Sequence, residues 1–542
     1  MIPGAVPWPK EWEEKYLRDC WPNKNFGQVF LESVARNATR VALVEGDQRV
    51  TFGELGEKVK GLAYGLMQLG LKPADRVLLQ LPNSLEFFYA YWACQLAGLI
   101  SVMCLPPHRD RELTYLADLT EATAYFIPDS QRGHDYQQMA KDIQVRCPAL
   151  KHIIVRGQAQ EGNHSIDKLS GTEAPGDWRW PQPDPREVAV LQLSGGTTGV
   201  PKVIPRTHND YIYNTAAQNI RLEFANDEVF MAPMPFAHNA CIHHMVHPAL
   251  FRGGTAVVCA HEPEAISRAI EKERVTHIFL VPTLFYRWLE FADFERYDYS
   301  SLRLSATGAQ KMHASQAARI GSKLPGVFLQ VFGMSEGVVM APAPDDPEWV
   351  RYESVGKPVS PWDEIRVVDE EGREVGPGEM GELICRGPYT IRGYYKAEEH
   401  NGRVFDSEGF YWTGDVVRLD SGGNVIIEGR TKDLINRGGE KISAEEVEGL
   451  LIDHPKIRSI AVVPMPDPDL GEKACAYVIG REGEEVTLRD LIAHLEEKKI
   501  ARFKFPERLE IVDSFPYTNV GKVSKKTLQE DIRGKLAQEN KG

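Results

Sequence analysis

The sequence predicts an α/β protein in two parts: a large multi-lobed N-terminal domain, with two α/β sheets plus a small β lobe, and a smaller C-terminal α+β domain. Three observations carry this. Short β-branched runs alternate with amphipathic helical runs up to residue 350, the pattern of layered α/β sheets. Beyond it the pattern becomes strand, acidic glycine turn, strand. A chain of 542 residues also exceeds what one hydrophobic core organises.

The elements follow in order. VALVEGDQRV, from Val41, reads as a strand and turn leading into the amphipathic LGEKVKGLAYGLMQLG and the apolar strand VLLQL. ATAYFIP, KHIIVRG, GTAVVCA and VTHIFLVP are each short, β-branched and followed by a helical pattern. EIRVVDEEGREVGPGEMGELICRG, from Glu364, is the small β lobe. A connector rich in glycine and charge then enters a helix opened by Ser443, with Glu446 three residues on as a capping box. The boundary is expected near Arg430, giving domains 1–430 and 431–542. In the second of these, IRSIAVVPMPD, KACAYVIGREG, LRDLIAHLEEKKI and RLEIVDSFP alternate strand and helix, and no carrier or condensation module is expected behind them.

Composition narrows the function. With 42% hydrophobic and 26% charged residues the chain is of ordinary globular type. A net charge of -14 argues against a nucleic-acid partner, whose binders carry a basic face. Eight cysteines without CxxC or zinc-like spacing read as reduced thiols. The first residues carry no leader pattern and no apolar run is long enough for a membrane span, so a cytoplasmic protein without a membrane partner is expected.

The most informative segment is LQLSGGTTGVPKVIPRTH. A strand-like run meets Ser194, Gly195, Gly196, Thr197, Thr198 and Gly199, with Lys202 behind them. Glycines free backbone N–H groups to face a polyanion, hydroxyls add donors, and a lysine neutralises charge. It is not a Walker loop, because Val200 and Pro201 separate the last glycine from the lysine.

SGGTTGVPK resembles the phosphate loop of the acyl-adenylate-forming superfamily, which includes acyl-CoA ligases, luciferases and nonribosomal-peptide adenylation domains. Four further segments resemble that family's motifs in its order: QVFGMSEG, YWTGDVV, GRTKDLINRGGEKIS and PYTNVGKVSKK. The resemblance implies ATP and Mg2+ as cofactors and a mobile C-terminal domain.

Within it, Glu336 is an oxygen ligand suited to magnesium, and Asp415, at the end of a strand-like run, can accept both ribose hydroxyls. Taken singly, these are a loop carboxylate and a turn aspartate. Phe332 is expected to offer a flat face to adenine, with Val331, Gly333, Met334 and Ser335 beside it and Gly308, Ala309 and Gln310 as the adenine-side loop. Thr198 and Thr307 are read as phosphate or AMP contacts, or as turn hydroxyls. Lys522 is expected to neutralise charge on the carboxylate and α-phosphate in the transition state. Lys432 resembles the family's hinge, Arg430 is expected to reach ribose or phosphate, and Gly438, Gly439 and Lys441 border the thiol route.

APMPFAHNACIHHMVHP is expected to line the acyl pocket, with His238, Asn239, Ala240, His244, Gly308, Val331, Ser335 and Val339 as its residues. Where ligases for α-amino acids carry an aspartate, this chain has Asn239, so an ammonium would lack its partner. Pro-Phe-Ala-His-Asn, IPRTHNDYIYN and the N-terminal PWPKEWEEKYLRDCWPNKNFG resemble the stand-alone 2,3-dihydroxybenzoate and salicylate AMP ligases of siderophore synthesis.

The run Ala240, Cys241, Ile242, His243, His244 departs from that subfamily and leaves picolinate-type, aminobenzoate or bicyclic heteroaryl acids open, with His244 as hydrogen-bond partner. The implied partner is a separate aryl carrier protein bearing phosphopantetheine, with coenzyme A as the alternative thiol. A luciferase-like oxidase and a non-catalytic nucleotide-binding protein are the rival classes; the joint presence of Lys202, Glu336, Asp415 and Lys522 argues against the latter.

Overall fold

The computed structural model describes residues 1–131, 133–194, 201–438, 440–518 and 522–539, with Lys432 and Lys441 described by their backbone alone. Two seven-stranded sheets dominate the larger part. One runs Val327–Gln330, Leu304–Thr307, His277–Leu280, Val229–Met231, Thr255–Val258, Val41–Glu45 and Gln48–Thr51, all parallel except the last pair. The other runs Val203–Thr207, Val188–Leu193, Ile100–Met103, Arg76–Leu79, Ala124–Pro128, His152–Arg156 and His164–Ser165, parallel except for the first pair.

Parallel strands must be covered on both faces, which explains their continuous apolar runs. The helix Leu85–Leu96 shows how the sheets are joined. Every residue of it except Glu86 is buried, as befits a helix apolar all round and enclosed between layers. Its Phe87, Phe88, Tyr91 and Trp92 belong to one core with Phe26, Phe52, Phe230 and Phe236.

The small lobe is a four-stranded antiparallel sheet, Glu364–Val368, Gly381–Arg386, Tyr411–Leu419 and Val425–Arg430. Asp415 therefore lies inside a strand, paired with Arg430, and not at a strand end as the sequence suggested. The strand continues because Val416 and Val417 bury their side chains on either side of a register shift.

The smaller C-terminal part is a five-stranded sheet with flanking helices and its own core around Ile435, Val447, Leu451, Val462, Val478 and Leu491. Ser443 caps the helix Ala444–Leu451 by accepting from Glu446 N; the expected return bond from the Glu446 side chain is not made, because Lys504 takes that carboxylate at 2.7 Å. This part leans on the larger one. Ser443 Oγ donates to Glu428 O, Ser315 Oγ donates to Asp453 Oδ1 at 2.7 Å, and a Cβ on Gly449 would lie 2.3 Å from His313 Nδ1. Only glycine permits that approach.

Candidate functional site

The parallel strands bring the motif residues together at their carboxyl ends, where ligands of open α/β sheets bind. Ser194 follows Val188–Leu193, Gly308 follows Leu304–Thr307, and Val331 follows Val327–Gln330. Gly195, Gly196, Thr197, Thr198 and Gly199 lie outside the described residues, as does Gly439. The mouth of the loop is closed by a reciprocal pair: Ser194 N donates to Lys202 O at 3.0 Å, and Lys202 N donates to Ser194 Oγ at 3.0 Å.

Around that mouth a polar corner forms. Lys202 Nζ sits 5.2 Å above the Tyr394 ring, and half-burial holds its ammonium below the usual lysine range against the opposing pull of Glu336. Tyr394 OH donates to Glu336 Oε1 at 2.7 Å and lies 2.9 Å from Tyr411 OH. Four residues past Tyr411, Asp415 Oδ1 accepts from Arg430 Nε at 2.9 Å. Burial nevertheless pushes the Asp415 carboxyl up to about 6, Arg430 and Lys522 opposing it, because the carboxylate is 4% exposed and loses its water.

Several features of this corner fit a nucleotide. Thr307 Oγ1 is buried with no partner among the described residues, at a strand end where a phosphate or ribose oxygen can use it. Ala309 takes a left-handed φ of +70°, strain of the kind held at binding loops. A Cβ on Gly308 would lie 2.9 Å from Val331 O, so the wall behind the loop is closed. Gln310 follows Ala309 in the same half-buried turn. Phe332 opens the short strand Phe332–Gly333, half-buried against Ile204 and Met340; Met334 O accepts from Gly337 N at 3.2 Å.

A hard cation fits Glu336, whose Oε2 is left by Tyr394 for coordination. Among the described residues no three His, Cys, Asp or Glu gather as a metal cluster, so the ion would share Glu336 with phosphate oxygens and water. This includes His238, His243, His244 and His247, whose imidazoles burial holds well below the ordinary range.

The segment expected to line the acyl pocket forms a helix that carries a π turn at Ile242–Val246. His238 caps its start, its Nδ1 accepting from Ala240 N at 3.3 Å. Burial and then the Lys522 ammonium push the His238 imidazole down to about 4. The Lys522 ammonium thus lowers both the His238 imidazole and the Asp415 carboxyl, in each case as a smaller influence than burial.

Asn239 is buried and its Oδ1 accepts from Tyr211 OH at 2.7 Å; Tyr211 OH in turn accepts from Gln192 Nε2 at 3.0 Å. That directional chain assigns the Asn239 oxygen and leaves Nδ2 as a donor. Arg206 braces the chain from below. It is fully buried, 4.3 Å above the Tyr211 ring, and donates to Asp210 Oδ1, Asn214 Oδ1 and Ser335 O. His244 is stacked on Phe279 with centroids 4.1 Å apart, its Nδ1 3.3 Å from His277 Nε2. Val339 is buried and packs on Gly333. Gly438 has a φ of +60° and its N–H donates to Leu470 O.

The sequence reading missed Gln192, Arg206, Tyr211, His277, Tyr394 and Tyr411. One signal was available: Arg206 and Asp210 stand four apart across the strand-to-helix entry, within reach of an ion pair.

The profile of the AMP-binding enzymes matches residues 30–395, and that of the AMP-binding enzyme C-terminal domain matches residues 446–522. The chain belongs to the AMP-binding enzyme family.

Its similarity to the 2,3-dihydroxybenzoate-AMP ligase of Bacillus subtilis is 43% identity over 539 residues, 99% of each chain. A Streptomyces protein named salicylyl-CoA synthase / salicylate adenylyltransferase is 41% identical, with 98% of each chain covered. The apo structure of Mycobacterium smegmatis MbtA is 39% identical, covering 97% of this chain and 98% of that one, with a TM-score of 0.74. As an AMP-binding enzyme the protein is an adenylate-forming ligase, and ATP and Mg2+ are its cofactors. No helix among the described residues is long and apolar enough to cross a membrane.

Proposed function

We propose that this AMP-binding enzyme activates an aromatic acid bearing a hydrogen-bond acceptor ortho to its carboxyl group, and transfers the acyl group to the phosphopantetheine thiol of a separate aryl carrier protein. The observation that carries the reading is the Gln192, Tyr211, Asn239 chain, which presents an amide N–H and no carboxylate to the acyl corner. A phenolic oxygen, as in salicylate or 2,3-dihydroxybenzoate, or a ring nitrogen, as in a picolinate-type acid, satisfies that donor. An α-ammonium does not.

In the reaction, the acid carboxylate attacks the α-phosphorus of ATP in line, the bond to pyrophosphate breaks, and acyl-AMP forms. Lys202 neutralises the departing pyrophosphate, and Lys522 the charge on carboxylate and α-phosphate. Asp415 and Arg430 hold the ribose, while Thr307 and the 308–310 loop flank the nucleotide. Glu336 would hold Mg2+, which would supply charge stabilisation during the transfer.

In the second half-reaction the thiol gives up its proton to solvent, its sulfur attacks the acyl carbon, and AMP leaves with the bonding pair. This follows rotation of a 431–542 domain about Lys432, with Gly438, Gly439 and Lys441 beside the thiol. A cytoplasmic location, where ATP and carrier are at hand, belongs to the same proposal.

A second reading, with coenzyme A as acceptor, is favoured by the relative named as a salicylyl-CoA synthase. Mass spectrometry of a reaction holding ATP, salicylate, an aryl carrier protein and coenzyme A distinguishes them. Acyl-carrier as the faster product supports the proposal, and acyl-CoA formed in preference replaces it.

A further inference from the structure

The polar corner contains a residue that no sequence motif above accounts for. Tyr394 lies in the Ile391 to Lys396 segment of the small lobe, yet its side chain reaches between two groups expected to meet the triphosphate. Its hydroxyl donates to Glu336 Oε1 at 2.7 Å, and its ring lies under Lys202 Nζ at 5.2 Å.

The polarity of the bonds is determined. Tyr394 has one hydroxyl proton and a carboxylate can only accept, so that proton goes to Glu336. The 2.9 Å contact with Tyr411 must then run the other way, Tyr411 donating to Tyr394. The result is a chain, Tyr411 to Tyr394 to Glu336, that engages Oε1 and fixes which oxygen of Glu336 faces outward.

The backbone around Tyr394 is held at both ends. Asn401 accepts from Tyr394 N at 2.8 Å and donates to Tyr394 O at 2.9 Å. Ile391 N donates to Glu336 O at 2.7 Å, and Tyr395 N donates to Val203 O at 2.9 Å, next to Lys202. A Cβ on Gly337 would lie 2.5 Å from Thr390 Cα, so the Glu336 turn is pressed directly onto this segment. The segment thereby ties the strand behind the phosphate loop to the Glu336 turn, and Tyr394 is the side chain that spans them.

We propose that Tyr394 is the positioning residue for the metal-bound triphosphate: its hydroxyl orients the Glu336 carboxylate while its ring holds the Lys202 ammonium, so both charges are set by one side chain. The inference rests on the reading of Glu336 and Lys202 as triphosphate groups, but not on which acid is activated. A neutral hydroxyl suits this place. It orders the carboxylate without cancelling its charge, as a second cation would, and the face of a phenol ring attracts an ammonium without quenching it.

The test is Mg2+-dependent ATP binding by calorimetry, with Mn2+ resonance on the ATP complex, both without any acid. Tyr394→Phe keeps the ring and loses the hydroxyl. It is expected to need about ten-fold more Mg2+ for half-maximal ATP binding, the usual effect of losing a bond that orients a metal ligand. ATP affinity at saturating Mg2+ should stay near that of the wild type. Tyr394→Leu, which also loses the ring, should weaken ATP binding even at saturating metal.

Tyr411→Phe removes only the upstream donor, and is expected to shift the Mg2+ requirement in the same direction by about three-fold. In a Glu336→Gln background, Tyr394→Phe should add little, because its effect acts through that carboxylate. Wild-type Mg2+ dependence in the folded Tyr394→Phe protein would overturn the proposal; should that variant not fold, wild-type dependence in Tyr411→Phe would do so. Failure of the wild-type protein to bind ATP with Mg2+ would instead overturn the reading of the corner itself.

Discussion

The nucleotide corner and the acyl corner of the cleft draw on the chain in opposite ways. Ser194, Lys202, Glu336, Asp415, Arg430 and Lys522 stand in short contiguous motifs that can be picked out of the sequence one by one. Asn239 and His244 stand five residues apart in sequence, but their settings are built by Gln192, Arg206, Tyr211 and His277, gathered from separate strands and a helix. Chemistry on a constant phosphate is carried by local backbone form. In the proposed function, selection among aromatic rings falls to the orientation of one amide, set by bonds over long sequence distances.

Breaking the nucleotide corner should give the largest effects. Lys522→Ala is expected to lower acyl-AMP formation by about 10²–10³, the range for removing one group that stabilises developing charge. Single-turnover formation of acyl-AMP measures it. The loss should be similar for every acid accepted, since this corner does not read the ring.

The pH dependence of the same corner should be a smaller effect. Asp415, raised to about 6 by burial, holds a proton in the folded protein that an unfolded chain releases near pH 4. The sign follows: across that window the native state binds more protons, so this group's contribution to stability falls as pH rises, while its ability to accept ribose hydroxyls grows. ATP binding measured by calorimetry should weaken about ten-fold between pH 7 and 5, and the Asp415→Asn protein should lose most of that slope.

The smallest effect sharpens the comparison. Tyr211→Phe removes the donor that orients Asn239, and should raise KM for salicylate by about three- to ten-fold, the worth of one buried hydrogen bond. KM for ATP should not move. If instead ATP and acid suffered equally, the two corners would not be separable.

These differences also explain what could be read from the chain. The alternation of strand and helix, the small β lobe and the α+β end were legible, because period and turn residues are local properties. Asp415 was legible as a residue but not in its setting, since the pairing with Arg430 across two strands is a matter of register. Tyr394 and Tyr411 were hidden for a different reason. A tyrosine between glycine and tyrosine, or before tryptophan, reads as packing, and only the fold shows that the two hydroxyls meet each other and Glu336. Arg206, by contrast, had its partner Asp210 within reach in sequence.

The central claim is that this cleft adenylates an aromatic acid chosen by an amide donor at Asn239. Acid-dependent exchange of labelled pyrophosphate into ATP tests it most directly, across salicylate, 2,3-dihydroxybenzoate, picolinate, benzoate, 4-hydroxybenzoate, phenylalanine and a fatty acid. The account predicts strong exchange with one or more of the first three, weak exchange with benzoate and 4-hydroxybenzoate, and none with phenylalanine. Equal exchange with benzoate and salicylate, or exchange led by phenylalanine or the fatty acid, would contradict it.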